Sequence, residues 1–182
     1  NDISSVESLI SNKTAAIILE PVQGEAGVYE VDQAFLKSLR ELCDENGTLL
    51  IMDEVQSGIG RMGHLFGYMK YDIEPDILTS AKGLGGGIPI GATLTKNNIA
   101  PSLSAGTHGS TFGGNPIACA VSNKVLQIVS DPAFLNEVRY KEEFMMNSLS
   151  EIASNTGAFA GVRSSGLWIC CDIKEVDNVF YF

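Results

Sequence analysis

Three short apolar runs, each closed by a charged residue, constrain this chain more than any other feature. "AAIIL" (15–19) ends at Glu20, "LLIM" (49–52) at Asp53 and Glu54, and "ILTSA" (77–81) at Lys82. Apolar runs this short, bounded by turn signals, read as strands with both faces buried. Full strands are expected at "TLLIMDEV" (48–55) and "DILTSAK" (76–82), with a fourth at "IPIGATLT" (88–95). Helical patterns lie between and after them. "DQAFLKSLRELCDENG" (32–47) puts Phe35, Leu36, Leu39, Leu42 and Cys43 on one face, with Asp32 as N-cap and Gly47 as the stop. "GGNPIACAVSNKVLQIVS" (113–130) starts a helix at Asn115 and Pro116, and the stretch from Asp131 and Pro132 repeats that signal.

Strands alternating with amphipathic helices predict an α/β fold with a mostly parallel sheet covered by helices on both faces. The polar opening is expected to run straight into the first strand. The closing "LWICCDIKEVDNVFYF" (167–182) is apolar, and no sheet is expected to receive it. Both ends therefore predict a piece of a longer protein.

Composition excludes several function classes. A net charge of −10 with only 12 basic residues argues against nucleic acid or an anionic membrane as partner. No apolar run approaches the length of a membrane span. The four cysteines form no C-x-x-C pair and there are two histidines, so no metal site is expected. Free thiols make the cytoplasm the default compartment.

In open parallel α/β sheets, ligands bind beyond the carboxyl ends of the strands. An amine and carboxylates at such ends suit carbonyl chemistry, because a partly desolvated lysine has a lowered pKa and attacks carbonyls. Pyridoxal phosphate is the commonest such cofactor. A carboxylate facing its ring nitrogen keeps that nitrogen protonated and the ring able to accept electrons. Lys82 suits the covalent attachment and Asp53 the ring nitrogen. "HGSTFGGNP" (108–116) supplies hydroxyls, glycines and a helix start for a phosphate. A competing motif, "GIGRMG" (58–63), matches the dinucleotide-binding G-x-G-x-x-G. The segment after it is too short and too broken by glycine for the long helix that receives a pyrophosphate.

"EPVQGEAGV", "LLIMDEVQSGIGR", "PDILTSAKGLGGGIPIGA" and "HGSTFGGNP" together resemble the class III (ornithine-type) pyridoxal-phosphate-dependent aminotransferases of fold type I, nearest the bacterial acetylornithine and succinylornithine branch. The likeness runs from about residue 15 to about residue 129. It implies that Lys82 forms the Schiff base and that Asp53 pairs with the pyridine nitrogen. It places Glu54, Val55, Gln56 and Thr111 among the cofactor-binding residues. Val55 would lie on the ring, Gln56 near the phenolic oxygen, and Thr111 on the phosphate of a partner subunit's cofactor. Ser110, Glu25 and a supporting Glu20 would meet the substrate. A homodimer with shared active sites is implied.

The implied reaction is transamination of an N-acylated ornithine-like donor with 2-oxoglutarate, within arginine biosynthesis. Succinylornithine, ornithine, 4-aminobutyrate and succinyl-diaminopimelate remain alternative donors, and a catalytically inactive fragment is a further alternative. Residues 1–155 would form part of the cofactor-binding large domain. Residues 156–182 would form a linker and the start of a truncated small C-terminal domain. Two departures stand out. Ser164 in "RSSGL" occupies a position where the family carries glycine, and Met62 stands where threonine is common. Arg61 of the glycine-rich loop is expected to be structural.

Overall fold

The computed structural model describes residues 1–174. Its centre is a four-stranded sheet built from β1 (Ala16–Leu19), β4 (Leu49–Asp53), β5 (Ile77–Ser80) and β6 (Ala92–Thr95), paired in that order. β1, β4 and β5 run parallel, with Leu19 opposite Met52 and Asp53 opposite Thr79. β6 is antiparallel to β5 and forms the edge.

The helix expected between the first two strands is α2 (Gln33–Asn46). The carboxylate of Asp32 accepts the N–H of Phe35, and Gly47 closes the helix in the left-handed region at φ 63°. α2 buries Leu36, Leu39 and Cys43 against Leu50 and Met52 of β4, and Val22, Val28, Met62 and Tyr71 complete this core. Leu50 and Met52 alternate with the half-buried Leu49 and Ile51, so the sheet's other face is more open. Ile18 on that open face is 62% exposed.

α3 (Pro116–Val129) and α4 (Pro132–Thr156) start where the sequence places them. Asn115 accepts from Ala118 N–H and Asp131 from Ala133 N–H, each with proline in the first turn. α3 packs on the glycine cluster that follows β5. A side chain at Gly86 would meet Val125 Cγ2 at 2.9 Å, and its backbone is left-handed at φ 56°. Only glycine satisfies both demands.

Three features differ from the sequence expectations. The chain opens in a helix, α1 (Ile3–Leu9), capped by Asp2, before the first strand. Its seven residues are too few for a periodicity signal, and its contact with α2 holds it in place. A small hairpin, β2 (Val22–Gln23) with β3 (Tyr29–Glu30), follows β1. The late apolar stretch does find a partner, because β8 (Ile169–Ile173) pairs antiparallel with β7 (Phe159–Ser164). Together β7 and β8 form a separate two-stranded sheet. β7 carries glycine, arginine and serine, so its strand pattern is weak in the sequence. Residues 175–182, the rest of the expected small-domain start, lie outside the described residues.

Candidate active site

β4 and β5 lie side by side, and their carboxyl ends present Asp53 and Lys82. Asp53 closes β4, and its Oδ1 accepts the N–H of Val55 at 3.0 Å, which starts the turn leaving the sheet. Thr79 is its partner on β5, so the two side chains share one sheet face. Thr79 Oγ1 is buried with no hydrogen-bond partner among the described residues.

Lys82 opens a short 3₁₀ turn, Lys82–Gly85, at φ 46°. A non-glycine residue in this region costs on the order of 1–3 kcal/mol and persists where its surroundings dictate it, often at functional sites. Ile59 is a second case at φ 53°, and β-branching makes it rarer still. Ile59 lies beside the residue that follows Lys82: a side chain at Gly83 would touch it at 3.5 Å.

A cleft of about 320 Å³ opens here, lined by Lys82, Gly83, Val55, Gln56, Ile59 and Trp168 together with Gly58 and Arg61. The Gln56 amide donates to Glu25 Oε1 at 3.2 Å, which brings the β2–β3 turn to the same place. The chain thus gathers Lys82, Val55 and Gln56 around one cleft, with Glu25 bonded to its wall at Gln56 and Asp53 at Val55.

Glu54 departs from the expectation that it binds cofactor. It is fully buried and faces the interior. It accepts from Ser57 Oγ at 2.6 Å, Gly67 N–H at 2.8 Å and Tyr68 N–H at 2.7 Å. Burial pushes its carboxyl above the usual glutamate range; the Ser57, Gly67 and Tyr68 donors oppose that rise and neighbouring Asp53 adds to it. Adjacent residues at a strand end point to opposite sides, so Asp53 and Glu54 cannot both face one cleft.

Glu20 is not brought to the cleft either. The chain turns at Pro21, and Glu20 lines a different pocket of about 260 Å³ between α1, β1 and α2. Ser110 and Thr111 lie on an exposed loop ahead of α3 and do not line the Lys82 cleft.

The glycine-rich loop at 58–63 is a succession of turns, with Gly60 and Gly63 both at positive φ. The next helical element is only the four-residue 3₁₀ turn Gly67–Lys70, so the loop offers no long helix N-terminus to a pyrophosphate. Arg61 is structural as expected, its Nη1 donating to Leu167 O at 3.0 Å. Trp168 lines the cleft although no sequence motif marked it. Only its position after the "SSGL" turn hinted at a fixed placement.

A lysine strained at a strand end, an apolar ledge at Val55, a held amide at Gln56 and a carboxylate at the neighbouring strand end are groups that fit pyridoxal phosphate. The fold agrees: acetylornithine aminotransferase from Elizabethkingia anophelis superposes with a TM-score of 0.90 at 39% identity, covering 96% of this chain and 46% of that one. This is the fold of the α/β aminotransferases. The family model for class-III aminotransferases matches residues 1–180, and the chain belongs to that family. Succinylornithine transaminase of Yersinia pseudotuberculosis serotype O:1b is 50% identical over 171 residues, 94% of this chain and 41% of that protein. Acetylornithine aminotransferase of Shewanella oneidensis is 50% identical over 175 residues, 96% of this chain and 43% of that protein. The chain therefore spans a little over two-fifths of the length of the curated relatives it matches.

Proposed function

We propose that the protein carrying this chain is a pyridoxal-phosphate-dependent aminotransferase that takes an N-acylated ornithine-type amine as donor and 2-oxoglutarate as acceptor, in arginine biosynthesis. The observation that carries this reading is the placement of Lys82, held at positive φ in the same cleft as Val55 and Gln56. Family membership and relatives of about 50% identity named for acetylornithine and succinylornithine support the donor class. Free cysteines and the acidic surface favour a cytoplasmic setting.

Bound pyridoxal phosphate would supply a carbonyl for covalent capture of an amine and a protonated ring that accepts the electron pair of the substrate carbon. Asp53 would hold the proton on the ring nitrogen. Val55 would give the ring an apolar surface, and Gln56, fixed by Glu25, would orient its polar edge. The Lys82 amine would serve as general base and acid, taking a proton from the substrate carbon and returning it to the carbon of the cofactor's former carbonyl group. Glu25, bonded to Gln56, would help handle the two ends of the donor.

Ser110 and Thr111 stand on an exposed loop beside Phe112, which is 79% exposed. An exposed apolar loop supports the reading that this segment completes the site of a second subunit in a homodimer. Residues 1–155 are read as part of the large domain, with the remainder leading into the small one. α4 ends at Thr156, close to that boundary.

The test is a visible spectrum of the purified protein with pyridoxal phosphate, before and after borohydride, beside Lys82→Ala. A band that borohydride fixes on the wild type alone supports the reading. A band equal in both proteins, or none in either, overturns it.

A further inference from the structure

Trp168 is the only tryptophan in the chain and sits in the turn between β7 and β8, where Ser165 N–H donates to Trp168 O at 2.9 Å. That turn is pinned to the glycine-rich loop. Leu167 N–H donates to Arg61 O at 3.0 Å, and Arg61 Nη1 returns a bond to Leu167 O at 3.0 Å. Gly166, at φ 63°, lies so close that a side chain there would collide with the Arg61 carbonyl. The indole itself is pressed on Gly24, leaving no room for a Cβ at that position. Glu25, the next residue, accepts from Gln56, which lines the cleft. The cleft therefore has a rigid aromatic plane in its wall, fixed by contacts from other segments.

We propose that Trp168 is a specificity-determining wall of the Lys82 cleft, setting the size of the acyl group that an amine donor can carry. The inference rests on the aminotransferase reading above. A half-buried indole offers a flat apolar face to a planar amide or a methylene chain. Its turn is tied at Arg61 and Gly166 and the ring rests on Gly24, so it holds its place against a bulkier group. A pocket that loses such a wall admits larger ligands, and one hydrophobic group of difference changes discrimination by about 10-fold or more.

The test uses the full protein in three forms: wild type, Trp168→Phe and Trp168→Ala. First, pyridoxal phosphate is added and tryptophan emission is followed, with Trp168→Phe as the background for any other tryptophan. Quenching in the wild type beyond that background is expected, and its absence overturns the proposal. Second, kcat/KM is compared for N-acetylornithine and N-succinylornithine. Trp168→Ala is expected to shift the ratio towards the succinyl donor by about 10-fold or more, while Trp168→Phe keeps the wild-type ratio. A ratio that stays put in Trp168→Ala, or both donors falling together, makes the indole a packing residue and overturns the proposal. Should Trp168→Ala fail to fold, Trp168→Leu makes the same comparison. Absence of any borohydride-fixed adduct on wild-type Lys82 would instead remove the aminotransferase reading, and the wall with it. An adduct with an unmoved ratio removes the wall alone.

Discussion

The hydroxyl of Ser57 donates to Oε2 of Glu54 at 2.6 Å in the interior of the protein, and the same oxygen accepts Gly67 N–H at 2.8 Å. With Tyr68 N–H on Oε1, this one carboxylate closes the long loop between β4 and the 3₁₀ turn at Gly67–Lys70. The loop carries Val55, Gln56 and Ile59 into the cleft, so Glu54 sets the geometry of a site it does not touch.

Glu54→Ala is accordingly expected to destabilise the fold by about 3 kcal/mol, because it strands the buried Gly67 N–H and Ser57 hydroxyl and the part-buried Tyr68 N–H. Urea denaturation measures this, and a loss below about 1 kcal/mol would contradict the role assigned to Glu54. A pH dependence follows with a definite sign. Burial raises the folded-state pKa of Glu54 above its unfolded value of about 4.3. The folded state then binds the extra proton, so this group's contribution to stability falls as pH climbs from about 4.3 through the raised folded value. Glu54→Gln should flatten that component of the stability–pH curve.

Asp76 predicts the opposite slope. Burial alone would raise its pKa, but Leu50 N–H at 2.8 Å, Arg40 Nη1 at 2.8 Å and Lys96 Nζ at 3.0 Å outweigh that and hold it below the usual aspartate range. Its stabilisation is fully present above the unfolded value of about 3.9 and is lost as pH falls through the lower folded value. Thermal unfolding between about pH 2 and 5 should show a steeper acid loss for the wild type than for Asp76→Asn. Equal slopes would mean the three donors do not act on this carboxylate.

Gly24→Ala places a methyl group where the Trp168 indole lies. The ring must leave its seat and enter water, so the emission of Trp168 should move to longer wavelength. An unchanged spectrum would show that the loop at Gly24 yields instead of the tryptophan.

Ser164 donates from Oγ to Glu142 Oε1 at 2.8 Å and so ties β7 to α4. Ser164→Gly removes that bond and loosens the strand backbone. The expected cost is about 1–2 kcal/mol by chemical denaturation. A neutral or stabilising result would mean that Glu142 is satisfied equally well by water.

Much of the sheet was legible because its strands are compact apolar runs with charged ends. The three longer helices were legible because Asp32, Asn115 and Asp131 cap them with their own side chains. Such signals are local: a cap, a proline and a repeating apolar face lie within one stretch of chain. α1 escaped notice because seven residues show too little periodicity, and β7 because its strand propensity is poor. Each is held by what it packs against, α1 by α2 and β7 by β8 and α4.

The site divides along the same line. By itself the sequence determined that Lys82 and Asp53 close neighbouring apolar runs, and its four motifs determined the family. Only the tertiary structure decided how the two adjacent acids divide, with Asp53 bonded to the cleft wall at Val55 and Glu54 buried inside. Glu54 turned inward because strand alternation points it away from Asp53 and three donors await it inside. Glu20 went to a separate pocket because Pro21 turns the chain. Trp168, more than eighty residues beyond Lys82 in the sequence, reached the same cleft through main-chain bonds to Arg61 and a glycine at position 24. Local pattern encodes what a residue is and which element bears it. The direction a side chain takes depends on donors, space and neighbours that come together only when distant segments pack.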